Sequence, residues 1–284
     1  MDDVLPLQPP VRLPPESELA EKVPEGSLDA WAEESRRLLD PDGPAFMGLV
    51  RLFLAREPLV LDDADLLEEL GLAVRLGRPY ELTPLGLWTA RLLISELSGQ
   101  DIPVLGTLAK VDAAGLLRGL RSYPERERDE ELAGWLAGRD EQAAAAELAR
   151  VIPEASPLSR AVGVELLSAS FGEYGEQELA ELIYEPRVGA VVAARLGRED
   201  RRPAPEEIAW VLVDMAAALL EFGGEISQVT ESVTGDQSGT ISLLALCDHP
   251  NTAAVLRVFI EHHPDPGVAA AARKALRRLH GLSR

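Results

Sequence analysis

Asp265-Pro266-Gly267-Val268-Ala269-Ala270-Ala271-Ala272-Arg273-Lys274-Ala275-Leu276, near the C-terminus, echoes an earlier stretch of the same chain. That stretch is Glu185-Pro186-Arg187-Val188-Gly189-Ala190, running on to Leu196. The two share an acid, a proline, Val188 with Val268, Ala190 with Ala270, and Leu196 with Leu276, at an offset of eighty residues. Two periods of about 40 residues fall in the range of helix-pair repeats. Stacked helix pairs present extended surfaces to partners, so the echo argues for a helical architecture whose work is contact.

Working outward, composition agrees. The chain has 284 residues, enough for a full core and two structural units. Hydrophobic residues make up 46% and charged residues 27%, which is globular and not disordered. Aromatic residues are only 5%, so Ala and Leu supply most of the apolar mass and favour helix-on-helix packing over large sheets. Forty-eight acids against 28 bases give a net charge of −20, which repels polyanions and weighs against nucleic acid or an anionic membrane as partner. One patch reverses the sign: after Asp265 there are no acids, and Arg273, Lys274, Arg277, Arg278 and Arg284 make the tail +5.

Cys247 is the single cysteine, so no intrachain disulfide forms and no oxidising compartment is indicated. Met1-Asp2-Asp3 is acidic where a secretory leader is basic, and Ile208–Leu220, the longest apolar run, contains Asp214 and is too short to span a bilayer. A cytoplasmic protein is expected.

The pattern of breakers divides the chain into a Pro-rich arm over 1–27, a helical unit over 28–100 and a helical domain over 101–284. The arm holds Pro6, Pro9, Pro10, Pro14, Pro15 and Pro24 and is expected to lie extended along the domain or to stay disordered; Pro6-x-x-Pro9 is a weaker docking-ligand reading. Ser27 caps a predicted helix over Leu28–Leu39. Phe46, Leu49, Val50 and Phe53 lie at i, i+3, i+4 and i+7, one helical face. Asp62–Gly71 reads as a short helix, and Leu72–Arg75 with Tyr80–Leu82 flank Gly77-Arg78-Pro79 as a hairpin. Thr83-Pro84, an N-cap followed by proline at the first helical position, is the strongest helix start in the chain. Beyond Ile102-Pro103-Val104-Leu105, helices alternate with short turns to residue 222, a polar stretch Gly223–Thr240 interrupts, and three helices close the chain.

Leu66-Leu67-Glu68-Glu69-Leu70-Gly71-Leu72, the hairpin, and Leu82-Thr83-Pro84-Leu85-Gly86 together resemble part of a winged helix-turn-helix, over residues 46–97. The resemblance implies that the helix before the hairpin reads a DNA groove and that the wing residues Arg75 and Arg78 touch phosphate. That helix, however, carries Asp62, Asp63, Asp65, Glu68 and Glu69, and from Glu57 to Glu81 there are seven acids and two bases. Phosphate contacts dominate such affinity, so the charge favours a unit used for packing or protein contact. In the C-terminal part, Asp265-Pro266 followed by Val268, Ala272, Ala275 and Leu276 resembles a helix start of a HEAT-type repeat, which implies a scaffold without catalytic residues. Cys247–Leu279, with Glu81–Gly86 and Ile102–Leu105, is also similar to a group of helical proteins of high-G+C bacteria, some with an added plasmid ORF-3-like domain; this implies architecture and carries no activity.

Candidate chemistry is sparse. Cys247, His249, His262 and His263 make a conceivable zinc set, but Cys-x-His plus His-His is not a recurring ligand spacing, and His249 before Pro250 reads more simply as a turn residue. Gly235–Thr240 lacks the lysine and glycine spacing of a phosphate loop. Asp214, between Val213 and Met215, is the carboxylate expected to be buried: paired with an arginine or capping backbone in the plain reading, a shifted general base in the sharper one. Arg273 with Arg277, and Lys274 with Arg278, stand at i, i+4 and form one cationic face. That face is either a dipole-complementing, solvated cap or a dock for an acidic partner.

The expected fold class is mainly α: a winged-helix-like N-terminal unit followed by a HEAT-like α-solenoid or an irregular helical bundle. The expected function is non-enzymatic protein–protein interaction, without cofactor or metal. The expected partner is a protein of basic character steered by the −20 field. The alternative is a winged-helix regulator reaching DNA through Arg75 and Arg78; weaker still is an acidic decoy of a DNA-binding protein. The oligomeric state stays open.

Overall fold

Thr83-Pro84 acts as its chemistry predicts. In the computed structural model, which describes residues 7–23, 27–198, 200–223 and 237–282, the Thr83 hydroxyl oxygen accepts the Gly86 N–H at 3.0 Å and Pro84 opens a helix over Pro84–Ser98. The same hydroxyl donates to the Gly71 carbonyl at 2.7 Å, tying the helix start to the segment before the hairpin. Thr83→Ala removes both bonds. It is expected to lower the stability of this unit by about 1–2 kcal/mol, read in urea denaturation, with Thr83→Ser retaining most of it.

The protein is mainly helical: among the described residues it has fifteen α-helices and two short strands. It divides into two compact units, residues 8–107 and one built on 108–284. The first contains α1 (Glu16–Ala20), α2 (Leu28–Leu38), α3 (Pro44–Ala55), α4 (Asp65–Glu69), β1 (Ala73–Arg75), β2 (Tyr80–Leu82) and α5 (Pro84–Ser98). Ser27 caps α2 by accepting the Ala30 N–H. β1 and β2 pair antiparallel with Ala73 opposite Leu82 and Arg75 opposite Tyr80, and Gly77 turns the chain between them at φ +78°. The apolar face of α3 buries Phe46, Leu49, Leu52 and Phe53 against Leu67, Leu72, Leu85 and Leu93, while Val50 sits half-buried. Residues 8–23 lie along this unit. Val11 donates to the Pro103 carbonyl at 2.9 Å, accepts the Leu105 N–H at 2.9 Å, and is buried with Leu19.

The second unit contains α6 (Ala113–Leu120), α7 (Glu125–Leu136), α8 (Glu141–Val151), α9 (Pro157–Ser170), α10 (Gly172–Leu182), α11 (Gly189–Arg195), α12 (Pro205–Phe222), α13 (Gln237–Leu244), α14 (Thr252–His262) and α15 (Pro266–Leu282). Asp112 and Asp140 cap α6 and α8 through the Gly115 and Ala143 N–H groups. Helix α9 is the hub, packed on α6, α8, α10 and α12. Towards the C-terminus, Val213 and Ala216 of α12 meet Ile241 and Leu244 of α13, Val255, Leu256 and Phe259 of α14, and Val268 and Ala272 of α15 in one apolar cluster. The two echoing stretches both open helices, and Val188 and Val268 are each buried to 2% exposure.

Three expectations are corrected: the arm, expected extended or disordered, contains the short helix α1 (Glu16–Ala20), α13 begins at Gln237 inside the polar stretch expected to run to Thr240, and the helix after α9 starts early. The sequence pattern starts the helix after α9 at Glu176, whereas α10 begins at Gly172. Gly172 takes φ +51°, so the reversal needs a single residue and no polar loop. Pro6 of the Pro-x-x-Pro motif, Gly235 and Asp236 of the polar loop, and Arg284 of the basic tail lie outside the described residues.

Candidate functional site

The site grows from Ser156-Pro157. Ser156 caps α9 by accepting the Ser159 N–H, which fixes the first turn of α9 and places Arg160 one turn inside the helix. Arg160 is 7% exposed. A guanidinium at that depth needs acceptors, and it has three: one Nη donates to Asp214 Oδ1 of α12, the other to the Pro153 and Ala155 carbonyls at 3.2 and 2.7 Å. Asp214 is therefore the buried, arginine-paired carboxylate that the plain reading of its apolar helix predicts.

His249 completes the knot. It is 4% exposed, in the Asp248-His249-Pro250 turn before α14, and its Nε2 lies 3.0 Å from Asp214 Oδ1. Its Nδ1 accepts the Asn251 N–H at 3.0 Å, which leaves the ring proton on Nε2, donated to Asp214. Trp210 meets the ring edge-on at 4.4 Å between centroids. An aspartate, a histidine and an arginine in contact suggest proton transfer, but both ring nitrogens here already hold partners. A general base needs a free lone pair within reach of substrate, so this knot joins α9, α12 and the turn before α14 and has no spare lone pair on the imidazole.

Two clefts adjoin the α8–α9 connection and a third lies along α8. The first, about 470 Å³, has Arg160, Trp210 and His249 on its floor and Pro186, Arg187 and Glu154 on its walls. Arg187 is ion-paired with Glu154. The second, about 400 Å³, brings together Arg118, Arg121 and Arg150 beside Ser156 and Ser159. The third is an open groove of about 520 Å³ between α8 and α10, floored by Ala146 and Ala149 and walled by Glu178, Glu181, Leu182, Tyr184 and Glu185, with Arg150 of α8 at its edge. Tyr184 is 82% exposed. Burial, and then the neighbouring Glu181, raise the Glu178 carboxyl above its ordinary value.

The residues singled out by sequence fall in separate places. Arg273, Lys274, Arg277 and Arg278 are all exposed on α15, away from its buried Val268, Ala272 and Ala275; Arg277 Nε donates to the Arg273 carbonyl at 3.3 Å. Arg75 stacks over the Tyr80 ring at 4.8 Å and faces Asp65 and Glu68 of α4 at 3.6 and 3.5 Å, so the acids expected to repel phosphate hold this hairpin arginine instead. Arg78 lies in the hairpin turn and is exposed. The four conceivable zinc ligands do not converge. Cys247 is buried near Thr252, His249 is in the knot, and His263 stacks on Phe259 while accepting the Asp265 N–H. Among the described residues no group of three or more His, Cys, Asp or Glu is placed to hold a metal ion. No helix among them is long and apolar enough to cross a membrane. The convergence of Arg118, Arg121 and Arg150 escaped sequence reading because the residues come from two helices and a turn with no shared spacing.

No known protein family, curated protein or solved structure matches this chain.

Proposed function

We propose that the chain is a non-enzymatic protein-interaction module, and that the groove between α8 and α10 receives a basic segment of its partner. The observation that carries this reading is Tyr184, 82% exposed beside Glu178, Glu181 and Glu185 over a floor of Ala146 and Ala149. Alanines leave room for the aliphatic stem of a lysine or arginine. The carboxylates receive its charge, and tyrosine is a residue type enriched in binding hot spots. The raised Glu178 carboxyl supports the same reading, because an arriving cation would pull it back down. The net charge of −20 then steers a basic partner towards the surface. The four cations of α15, all exposed, serve in this reading as a subsidiary contact for acidic stretches. The HEAT-like stack is the proposed scaffold, and the helix–hairpin–helix order of the first unit is proposed as a winged-helix-like contact surface. Arg75 is engaged by Asp65 and Glu68, which weighs against its use on DNA.

The test is titration of a labelled Lys/Arg-rich peptide followed by anisotropy at moderate salt. Glu178→Gln/Glu181→Gln and Tyr184→Ala are each expected to weaken binding about tenfold or more, the scale of a hot-spot loss of roughly 2 kcal/mol. Glu125→Gln/Asp129→Asn on α7 removes the same charge elsewhere and is expected to leave it nearly unchanged. Equal loss in both double variants would assign the binding to the overall field and end the groove reading. Acidification through the Glu178 titration is expected to weaken the peptide, since protonation removes the charge it meets.

A further inference from the structure

We infer that the hollow lined by Arg118, Arg121 and Arg150 is a binding site for the phosphate group of a phosphorylated small molecule. The chemistry is already displayed beside it. Glu221, in the last turn of α12, lays its carboxylate on the N-terminus of α9, where Oε2 accepts the Leu158 N–H at 3.0 Å and Oε1 accepts the Ser156 hydroxyl at 2.7 Å. Arg121 completes that contact with a guanidinium N–H to Oε1. Backbone N–H groups at a helix start, a hydroxyl and an arginine are the elements of an anion cradle.

Arg118 and Arg150 stand next to this cradle and differ from Arg121 in one respect. Both are exposed, and neither has an ion pair among the described residues. Glu154, the one acid lining the hollow, is held by Arg187. Arg150 also edges the groove of Glu178, Glu181 and Glu185, but two guanidiniums without an ion pair lining one hollow are conspicuous in a chain of net charge −20, where acids outnumber bases 48 to 28. Arginine forks match phosphate oxygens pairwise, so two of them suit a dianion better than a single carboxylate. Ala114, Val151 and Ala155 supply a small apolar surface for the rest of the ligand. The volume of about 400 Å³ fits a small molecule, while the acidic field around it opposes a long polyanion such as nucleic acid.

Isothermal titration of the full chain with pyrophosphate and with glycerol 3-phosphate, at physiological salt, tests the site. Saturable binding of either probe is expected. Arg118→Gln/Arg150→Gln should weaken it at least tenfold while leaving the melting temperature nearly unchanged, since neither side chain carries a structural ion pair. Arg273→Gln/Arg277→Gln on α15 should leave it intact. Absence of saturable binding by both probes, undiminished binding by the Arg118/Arg150 variant, or equal loss in the α15 variant would each overturn the assignment.

Discussion

Asp214→Ala is expected to destabilise the helical unit by about 3–5 kcal/mol, the scale of removing one partner from a buried ion pair. The loss comes from what remains. Arg160, 7% exposed, keeps its charge with only two carbonyls to receive it, and the His249 Nε2–H loses its acceptor. Urea denaturation followed by Trp210 fluorescence, with Trp210 packed on His249, reads the knot directly. Asp214→Asn keeps an acceptor oxygen and is expected to cost less than alanine. Arg160→Met/Asp214→Leu should be more stable than Asp214→Leu alone, because removing the orphaned charge relieves its desolvation. A cost for Asp214→Ala below about 1 kcal/mol, or a double variant less stable than the single one, would show that the ion pair does not hold these helices together.

Gly86→Ala is expected to destabilise the first unit by about 3 kcal/mol or more, although alanine is the better helix former. A Cβ at position 86 would lie 1.8 Å from the Leu72 carbonyl oxygen and 2.6 Å from its carbon. Those are backbone atoms, so no rotamer change relieves the overlap. The first turn of α5 would have to move away from the hairpin, breaking the Thr83 N–H bond to Leu72 at 3.0 Å. Gly134→Ala in α7 is the matched control: a Cβ there meets nothing within 4 Å, and a gain of about 0.5–1 kcal/mol is expected. Equal behaviour of the two variants in thermal unfolding would mean that the close approach at Leu72 is not what requires glycine.

Much of the local structure was legible because its causes lie within three or four residues. Ser27 and Thr83 are caps in sequence and caps in space, and Gly77 turns the hairpin that Arg75 and Tyr80 close. The apolar spacing of α3 predicted its buried face apart from Val50, whose place deep in the core Leu52 takes. The start of α10 is not legible in the sequence, because a left-handed glycine, Gly172, makes the reversal without a loop. The apolar flanks of Asp214 announced a buried carboxylate, and that reading needed no partner to be named.

Sequence by itself determined the helical class, most helix starts, the small hairpin and the burial of Asp214. All of these follow from hydrogen bonds and periodicities that close over a few residues. Tertiary structure alone decided that Asp214 meets Arg160 and His249, which lie 54 and 35 residues away. It alone brought Arg118, Arg121 and Arg150 to one hollow and set Tyr184 beside three glutamates. The angles at which α6, α8, α9, α10 and α12 cross depend on how side chains interlock over the whole unit. Short-range patterns carry no record of that packing.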